Sequence, residues 1–358
     1  MNNGIYIHIP FCLQKCDYCD FLSLECTDKQ EEYVTALLQE IESVNVPNID
    51  TIFIGGGTPT ALPPFLLCKI LQAIKAKTSI PNIEITVESN PGTLTQGYLQ
   101  ELKQAGVNRL SMGLQTTQAR LLNAIGRIHT LNDFLENYQA ARKVGFNNIN
   151  VDLMFGLPGQ TLQNWHETLD EIIKLNPEHI SCYSLTPAEH TPLFDNLMND
   201  ILTLPDDETN RAMYHAAREK LTTAGYNHYE ISNFAKPGRE CKHNINCWKR
   251  VPYRGFGLGA SSFDGKMRWT NTEDMAEYIN GTNTAQDTDI LTAEGHAAET
   301  MILGLRMLEG IPAKDIPQQY HSIVAHQIEK GLLAHSDGSV RLTAQGLDLA
   351  NQVFMAFL

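Results

Sequence analysis

Long apolar runs are missing from this chain. No stretch approaches the roughly 20 apolar residues that a membrane-spanning helix needs. The opening Met-Asn-Asn-Gly has neither the basic start nor the apolar run of a secretory signal. An excess of basic residues is missing as well: 41 acidic residues stand against 27 basic ones, a formal net charge of −14. That argues against nucleic acid as a partner, because holding a phosphate backbone relies on clustered Lys and Arg. Internal repeats, low-complexity tracts and long linkers are absent too. The chain therefore reads as a cytoplasmic protein, in a compartment where thiols stay reduced. Its 358 residues are long for one ordinary core, and the length suits a barrel with a smaller appended domain.

What the chain does have is a bunched set of thiols. Cys12, Cys16 and Cys19 stand as C-x3-C-x2-C in one short loop. The alternating run Ile5 to Ile9 feeds that loop and reads as a strand that stops at Pro10, which has no donor for a sheet ladder. Thiolates select zinc, copper(I) or iron–sulfur centres. Structural zinc sites want four closed ligands. Three cysteines with no nearby fourth ligand suit a [4Fe–4S] cluster with one iron left open. The alternative is three buried structural cysteines, and free cysteines have little reason to bunch in a polar loop.

Beyond the loop, strand and helix patterns alternate. Strands are expected at Thr51–Ile54, Ile83–Glu88, Asn108–Gly113, Asn148–Met154 and His179–Leu185. Helices are expected at Glu31–Val44, Phe65–Ala76, Leu99–Ala105, Gln118–Ala124, Asp133–Val144, Asn164–Leu175 and Asp206–Ala224. Such alternation means parallel βαβ units. Polar and glycine residues fall where the strands end, which is where barrels carry their chemistry. Gly55-Gly56-Gly57-Thr58 ends the second strand and permits close backbone approach to a ligand. Glu88 ends the third, Gln115 follows the fourth, Arg127 lies further along, and Asp152 is in the fifth. Each alone reads as an ordinary solvated or ion-paired residue.

The cysteine spacing, with Tyr18 just before the last cysteine, resembles the signature of the radical S-adenosylmethionine (SAM) superfamily. The flanks Tyr6-Ile-His-Ile-Pro-Phe-Cys12 and Cys19-Asp-Phe21 are similar to the branch that holds oxygen-independent coproporphyrinogen III dehydrogenases and the HemW haem chaperones. The resemblance implies a partial, TIM-like (β/α)6 barrel, with Cys12, Cys16 and Cys19 as the ligands of a [4Fe–4S] cluster. It implies S-adenosyl-L-methionine held by Tyr6, Tyr18, Gly56, Gly57, Thr58, Glu88, Gln115, Arg127 and Asp152. Acidic and basic partners are both needed, since SAM carries a sulfonium, an ammonium, a carboxylate and a ribose diol. The expected division is a radical SAM core over 1–230, a barrel extension over 231–295 and a small C-terminal helical, winged-helix-like domain over 296–358.

Within the extension, His243-Asn-Ile-Asn-Cys247-Trp248 resembles the H-N-x-x-Y-W run of the HemW branch, with Cys in place of Tyr. The resemblance implicates His243 in haem binding. Imidazole and thiolate are both ordinary axial haem ligands, so His243 and Cys247 each stay open in that role. A buried, hydrogen-bonded histidine and a zinc site on Cys241, His243 and Cys247 are the other readings. The run Gly255 to Phe263 resembles the family's return toward the barrel. The tail shows a helix at Ile323–Leu333, a hairpin at Ser336–Thr343 with an Asp-Gly turn and a last helix at Leu347–Leu358. Its basic residues, Arg306, Lys314, Lys330 and Arg341, are outnumbered by acidic ones, so it reads as a packing or partner domain. The resemblance implies a haem chaperone that passes haem to acceptor proteins. The alternative is a dehydrogenase that decarboxylates coproporphyrinogen III; those enzymes carry a further cysteine where this chain has Phe21, and a longer segment before the loop. Whether the chain is an enzyme stays open at this point.

Overall fold

The structure is a computed structural model that describes residues 3–25, 28–78, 80–281 and 285–358; Cys26 lies outside them. Six βα units come first: β1 (Asn3–Ile9), α1 (Gln30–Ser43), β2 (Ile49–Gly56), α2 (Pro64–Lys75), β3 (Glu84–Ser89), α3 (Gln96–Gln104), β4 (Arg109–Gln115), α4 (Ala119–Ala124), α5 (Leu131–Val144), β5 (Ile149–Phe155), α6 (Leu162–Leu175) and β6 (His179–Ser184). After α7 (Pro192–Met198), α8 (Asp207–Thr223) covers the sixth unit by packing on α6.

Strands β1 to β6 pair in sequence order and in parallel. The period of 2 explains their faces. Ile5, Ile7 and Ile9 are fully buried among the helices, where α1 answers with Tyr33, Val34, Leu37 and Ile41 at helical spacing. The intervening residues, Tyr6 and His8, join Thr51, Phe53, Glu84, Thr86, Glu88, Arg109 and Ser111 on the inner face. Fully burying one aliphatic chain is worth about 1.5–3 kcal/mol, so this outer shell sustains a barrel whose inner face is polar. Local signals set the helix ends. Thr130 and Thr161 form reciprocal caps with Asp133 and Asn164, and Gly145 and Asn176 close α5 and α6 in the left-handed conformation.

The barrel is open, as expected, but the sheet runs further than six strands. Strands β7 (Asn227–Glu230) and β8 (Asn233–Ala235) continue it antiparallel past β6. At the other edge, after α9 (Lys242–Trp248), β9 (Tyr253–Phe256) pairs parallel with β1. Strands β10 (Ser261–Phe263) and β11 (Met267–Thr270) follow. After α10 (Met275–Ile279), β12 (Gln286–Ile290) is the edge.

A second core begins at Ala297 and ends at Phe357. It joins α11 (Ala293–Gly304), β13 (Ile311–Pro312), α12 (His321–Glu329), β14 (Leu333–Ser336), β15 (Ser339–Leu342), α13 (Ala344–Asp348) and α14 (Ala350–Met355). The expected hairpin is present, with Asp337 and Gly338 both at positive φ. The expected last helix is two short ones, because Leu349 leaves helical geometry at φ −118° and ψ 27°. No helix among the described residues is long and apolar enough to cross a membrane.

Candidate functional site

The site lies at the carboxyl ends of the parallel strands. The loop after β1 folds back on itself: the Cys12 amide donates to Leu24 O at 3.0 Å, and the Cys19 amide donates to Cys16 O at 3.1 Å. Two further backbone bonds anchor its middle, from the Asp17 amide to Ile125 O and from the Leu193 amide to Asp17 O. Cys12 is buried, and Cys16 and Cys19 are half-buried. All three line a cavity of about 360 Å³, within the size range of small-molecule sites. Burial pushes the Cys12 and Cys16 thiols up from their ordinary range.

One row of side chains ties the cysteine loop to the strand ends. Cys12 Sγ is 3.4 Å from the Thr58 hydroxyl, and Asn90 Nδ2 donates to that hydroxyl at 2.7 Å. Arg127 Nη1 donates to Asn90 Oδ1 at 2.7 Å, and Nη2 donates to the Tyr18 hydroxyl at 2.8 Å. Arg127 Nε is buried with no hydrogen-bond partner among the described residues. Two glycines make the close approaches possible. A Cβ at Gly57 would lie 2.8 Å from Phe11 O and 3.0 Å from Cys12 Sγ, and one at Gly55 would lie 2.7 Å from a Glu88 carboxylate oxygen.

Two carboxyl groups, Glu88 and Asp152, line the cavity with this cation. Burial, with Asp152 close by, pushes Glu88 up to about 8, against the opposing pull of the Gly56 amide. Asp152 accepts from Ser111 Oγ at 3.1 Å and from Asn150 Nδ2 at 2.8 Å. Gln115 has φ +71° at a register shift in β4, and its Oε1 accepts from the Tyr183 hydroxyl at 2.8 Å. Such irregularities re-aim a side chain at a strand end.

Tyr18, Gly56, Gly57, Glu88, Gln115, Arg127 and Asp152 therefore line the cavity with the three cysteines. Tyr6 and Thr58 sit one layer back. Tyr6 is hydrogen-bonded to His8 at 3.0 Å and packs on Phe53. Asn90, Ser111 and Tyr183 also line the cavity, Asn150 holds Asp152 from behind, and none of the four stands out in the sequence. The signal that could have found Asn150 is its place two residues before Asp152, on the same strand face.

His243 is not brought to this cavity. It is 6% exposed, its Nδ1 lies 3.0 Å from the Thr51 hydroxyl, and its ring stacks on Phe53 at 5.2 Å. Thr51 and Gly56 stand toward opposite ends of β2, roughly 17 Å apart at about 3.3 Å per residue. Burial pushes the imidazole down to about 4. Glu84 accepts the backbone amides of Lys242 and His243, both at 3.1 Å, and so caps α9. The Cys241 thiol faces that same carboxylate, whereas Cys247 lies toward Tyr253 and Arg268. Cys241, His243 and Cys247 thus turn to different neighbours. Burial holds the Cys247 thiol up at about 11.

The three thiols, the glycine cradle beside Cys12 and the orphaned Arg127 Nε fit a cluster with an adjoining ligand of mixed charge. Fold and site together define a radical SAM barrel. A family model of the Radical SAM superfamily matches residues 6–172, and one of the HemN C-terminal domain matches residues 291–349. A solved coproporphyrinogen III oxidase (HemN) from Escherichia coli superposes with a TM-score of 0.84 over 99% of this chain and 90% of that one, at 23% identity. That likeness concerns the fold. The protein named Heme chaperone HemW of Bacillus subtilis is 41% identical, covering 99% of this chain and 98% of that protein. The one of Escherichia coli is 36% identical, covering 86% and 84%. The chain belongs to the HemW haem chaperone family. Membership of the radical SAM superfamily implies a [4Fe–4S] cluster and SAM.

Proposed function

We propose that the chain is a haem chaperone that binds haem and passes it to acceptor proteins, working in the cytoplasm. Cys12, Cys16 and Cys19 would hold a [4Fe–4S] cluster, and the cavity they line would take SAM. The row from Cys12 through Thr58, Asn90 and Arg127 to Tyr18 carries the cluster and SAM part of this reading. It holds the thiols and the ligand-facing cation in one frame. Arg127 suits the carboxylate of SAM, while Glu88 and Asp152 suit its ammonium and ribose diol. Together the cluster and SAM supply one-electron reductive cleavage of the sulfonium.

Family membership supports the haem part. His243 is the candidate ligand, and it has to leave its seat on Thr51 and Phe53 to reach a haem iron. Oxidative decarboxylation of coproporphyrinogen III is the competing reading. Phe21 stands where that activity's relatives carry a further cysteine, and it is 65% exposed. Reconstituted protein offered haem and coproporphyrinogen III separately decides between them. Stable haem association with coproporphyrinogen III left unchanged is expected. No haem association, with protoporphyrinogen IX formed in the presence of SAM and reductant, reverses the assignment.

A further inference from the structure

Beneath Asp152 the barrel's inner face carries a single-file row of hydrogen bonds. Asn150, 2% exposed, donates its two Nδ2 hydrogens to Asp152 Oδ1 at 2.8 Å and to Ser111 Oγ at 2.7 Å. Ser111 donates in turn to Asp152 Oδ2 at 3.1 Å. Both carboxylate oxygens are thus gripped from below. A carboxylate oxygen can receive only a donor, so this contact fixes which way the Asn150 amide points. Its Oδ1 then accepts from Ser181 Oγ at 3.1 Å and from His179 Nδ1 at 2.6 Å.

That assignment fixes the histidine. His179 is 0% exposed. Burial and the nearby Arg109 hold its imidazole neutral, well below its ordinary range. With the hydrogen on Nδ1, Nε2 is the acceptor. The Tyr229 hydroxyl, 2.8 Å away, donates to it and itself accepts the Cys241 amide at 3.3 Å. Every donor in the row points toward Asp152.

We propose that Asn150, His179 and Tyr229 are positioning residues for SAM: Tyr229 holds the far nitrogen of the His179 ring, His179 locks the Asn150 amide, and Asn150 aims the Asp152 carboxylate into the cavity. This rests on the reading above that Asp152 contacts SAM. Without the His179 donor, the Asn150 oxygen keeps only the longer bond from Ser181 Oγ at 3.1 Å, and the grip of the amide on the carboxylate loosens. Around metal sites, residues that orient a ligand from behind matter by about ten-fold or more, and a carboxylate aimed at a cationic ligand is held in the same way.

The test is a double-mutant cycle read as SAM affinity by anaerobic calorimetry on reconstituted protein, with iron content measured alongside. His179→Phe keeps a flat aromatic ring and removes both nitrogens. It is expected to weaken SAM about ten-fold with iron unchanged, and to have less than about a two-fold effect in an Asp152→Asn background, because its action runs through that carboxylate. A residue that only shapes the barrel gives equal effects in both backgrounds, and that result overturns the proposal. If Asp152→Asn alone leaves SAM affinity unchanged, the reading of Asp152 as a SAM contact fails and takes this proposal with it. Should His179→Phe not fold, Tyr229→Phe enters the same cycle; it removes one hydroxyl, and the expected loss is smaller but likewise absent beside Asp152→Asn.

Discussion

Arg127 grips the Tyr18 hydroxyl at 2.8 Å with one nitrogen and Asn90 at 2.7 Å with another. The contact spans 109 positions of sequence and clips the turn between Cys16 and Cys19 to the end of β3. Burial pushes the Tyr18 hydroxyl up to about 12, and the guanidinium pulls the other way. Arg127→Lys keeps the charge but lacks the planar two-pronged donor. A hydrogen bond from a charged group is worth about 1.5–3 kcal/mol, so iron loss to a chelator is expected to quicken about ten-fold. An unchanged rate of bleaching means the clip does not hold the loop.

Replacing Cys12, Cys16 and Cys19 together by Ala removes every thiol that lines the cavity among the described residues. Anaerobic reconstitution of the native chain is expected to bring about four iron and four sulfide per chain. The triple variant should carry neither the iron nor the brown absorption. A full complement of iron in that variant rules out this loop as the cluster site.

Glu88 makes SAM binding depend on pH. Its folded-state pKa is raised from 4.5 to about 8, so in the free site at pH 7 the carboxyl keeps its proton. A cationic group arriving beside it favours the anion, and the proton leaves. SAM affinity should therefore climb as pH rises toward about 8 and then level off, with proton release seen by calorimetry in buffers of different ionisation enthalpy. The stability sign is the opposite. A raised carboxyl contributes stability that is fully present below about 4.5 and is lost as pH rises through about 8. Glu88→Gln should raise the melting temperature of the free protein at pH 8 while weakening SAM binding and flattening its pH profile. A wild-type affinity that is flat from pH 6 to 8 counts against Glu88 as a ligand contact.

Much of this architecture is legible in the chain because it is written locally. Ile5, Ile7 and Ile9 alternate with inward residues. Thr130 with Asp133 opens a helix where the pattern says it should. The cysteine spacing names its chemistry within eight residues. What is not legible is made by distant partners. Strand β9 is four residues long and becomes a parallel neighbour of β1 through pairing across the whole barrel. The positive φ of Gln115 is imposed by the strand end. His243 meets Thr51 across 192 positions, and no local pattern shows which end of the barrel receives it.

That seat yields the last prediction. The His243 ring is stacked on Phe53 and bonded to Thr51, so haem competes with the barrel for the imidazole. Thr51→Val keeps the shape and removes the hydroxyl. One neutral hydrogen bond contributes about 1 kcal/mol net, so haem affinity should rise about five-fold in this variant. His243→Ala is expected to abolish the same affinity, and to cost stability of its own because it leaves a void beside Phe53. Titration of haem into the two variants, followed in the Soret band, gives opposite shifts if the ring has to leave its seat. Equal affinities in native chain, Thr51→Val and His243→Ala place the haem ligand elsewhere and leave His243 as a structural residue at the base of the barrel.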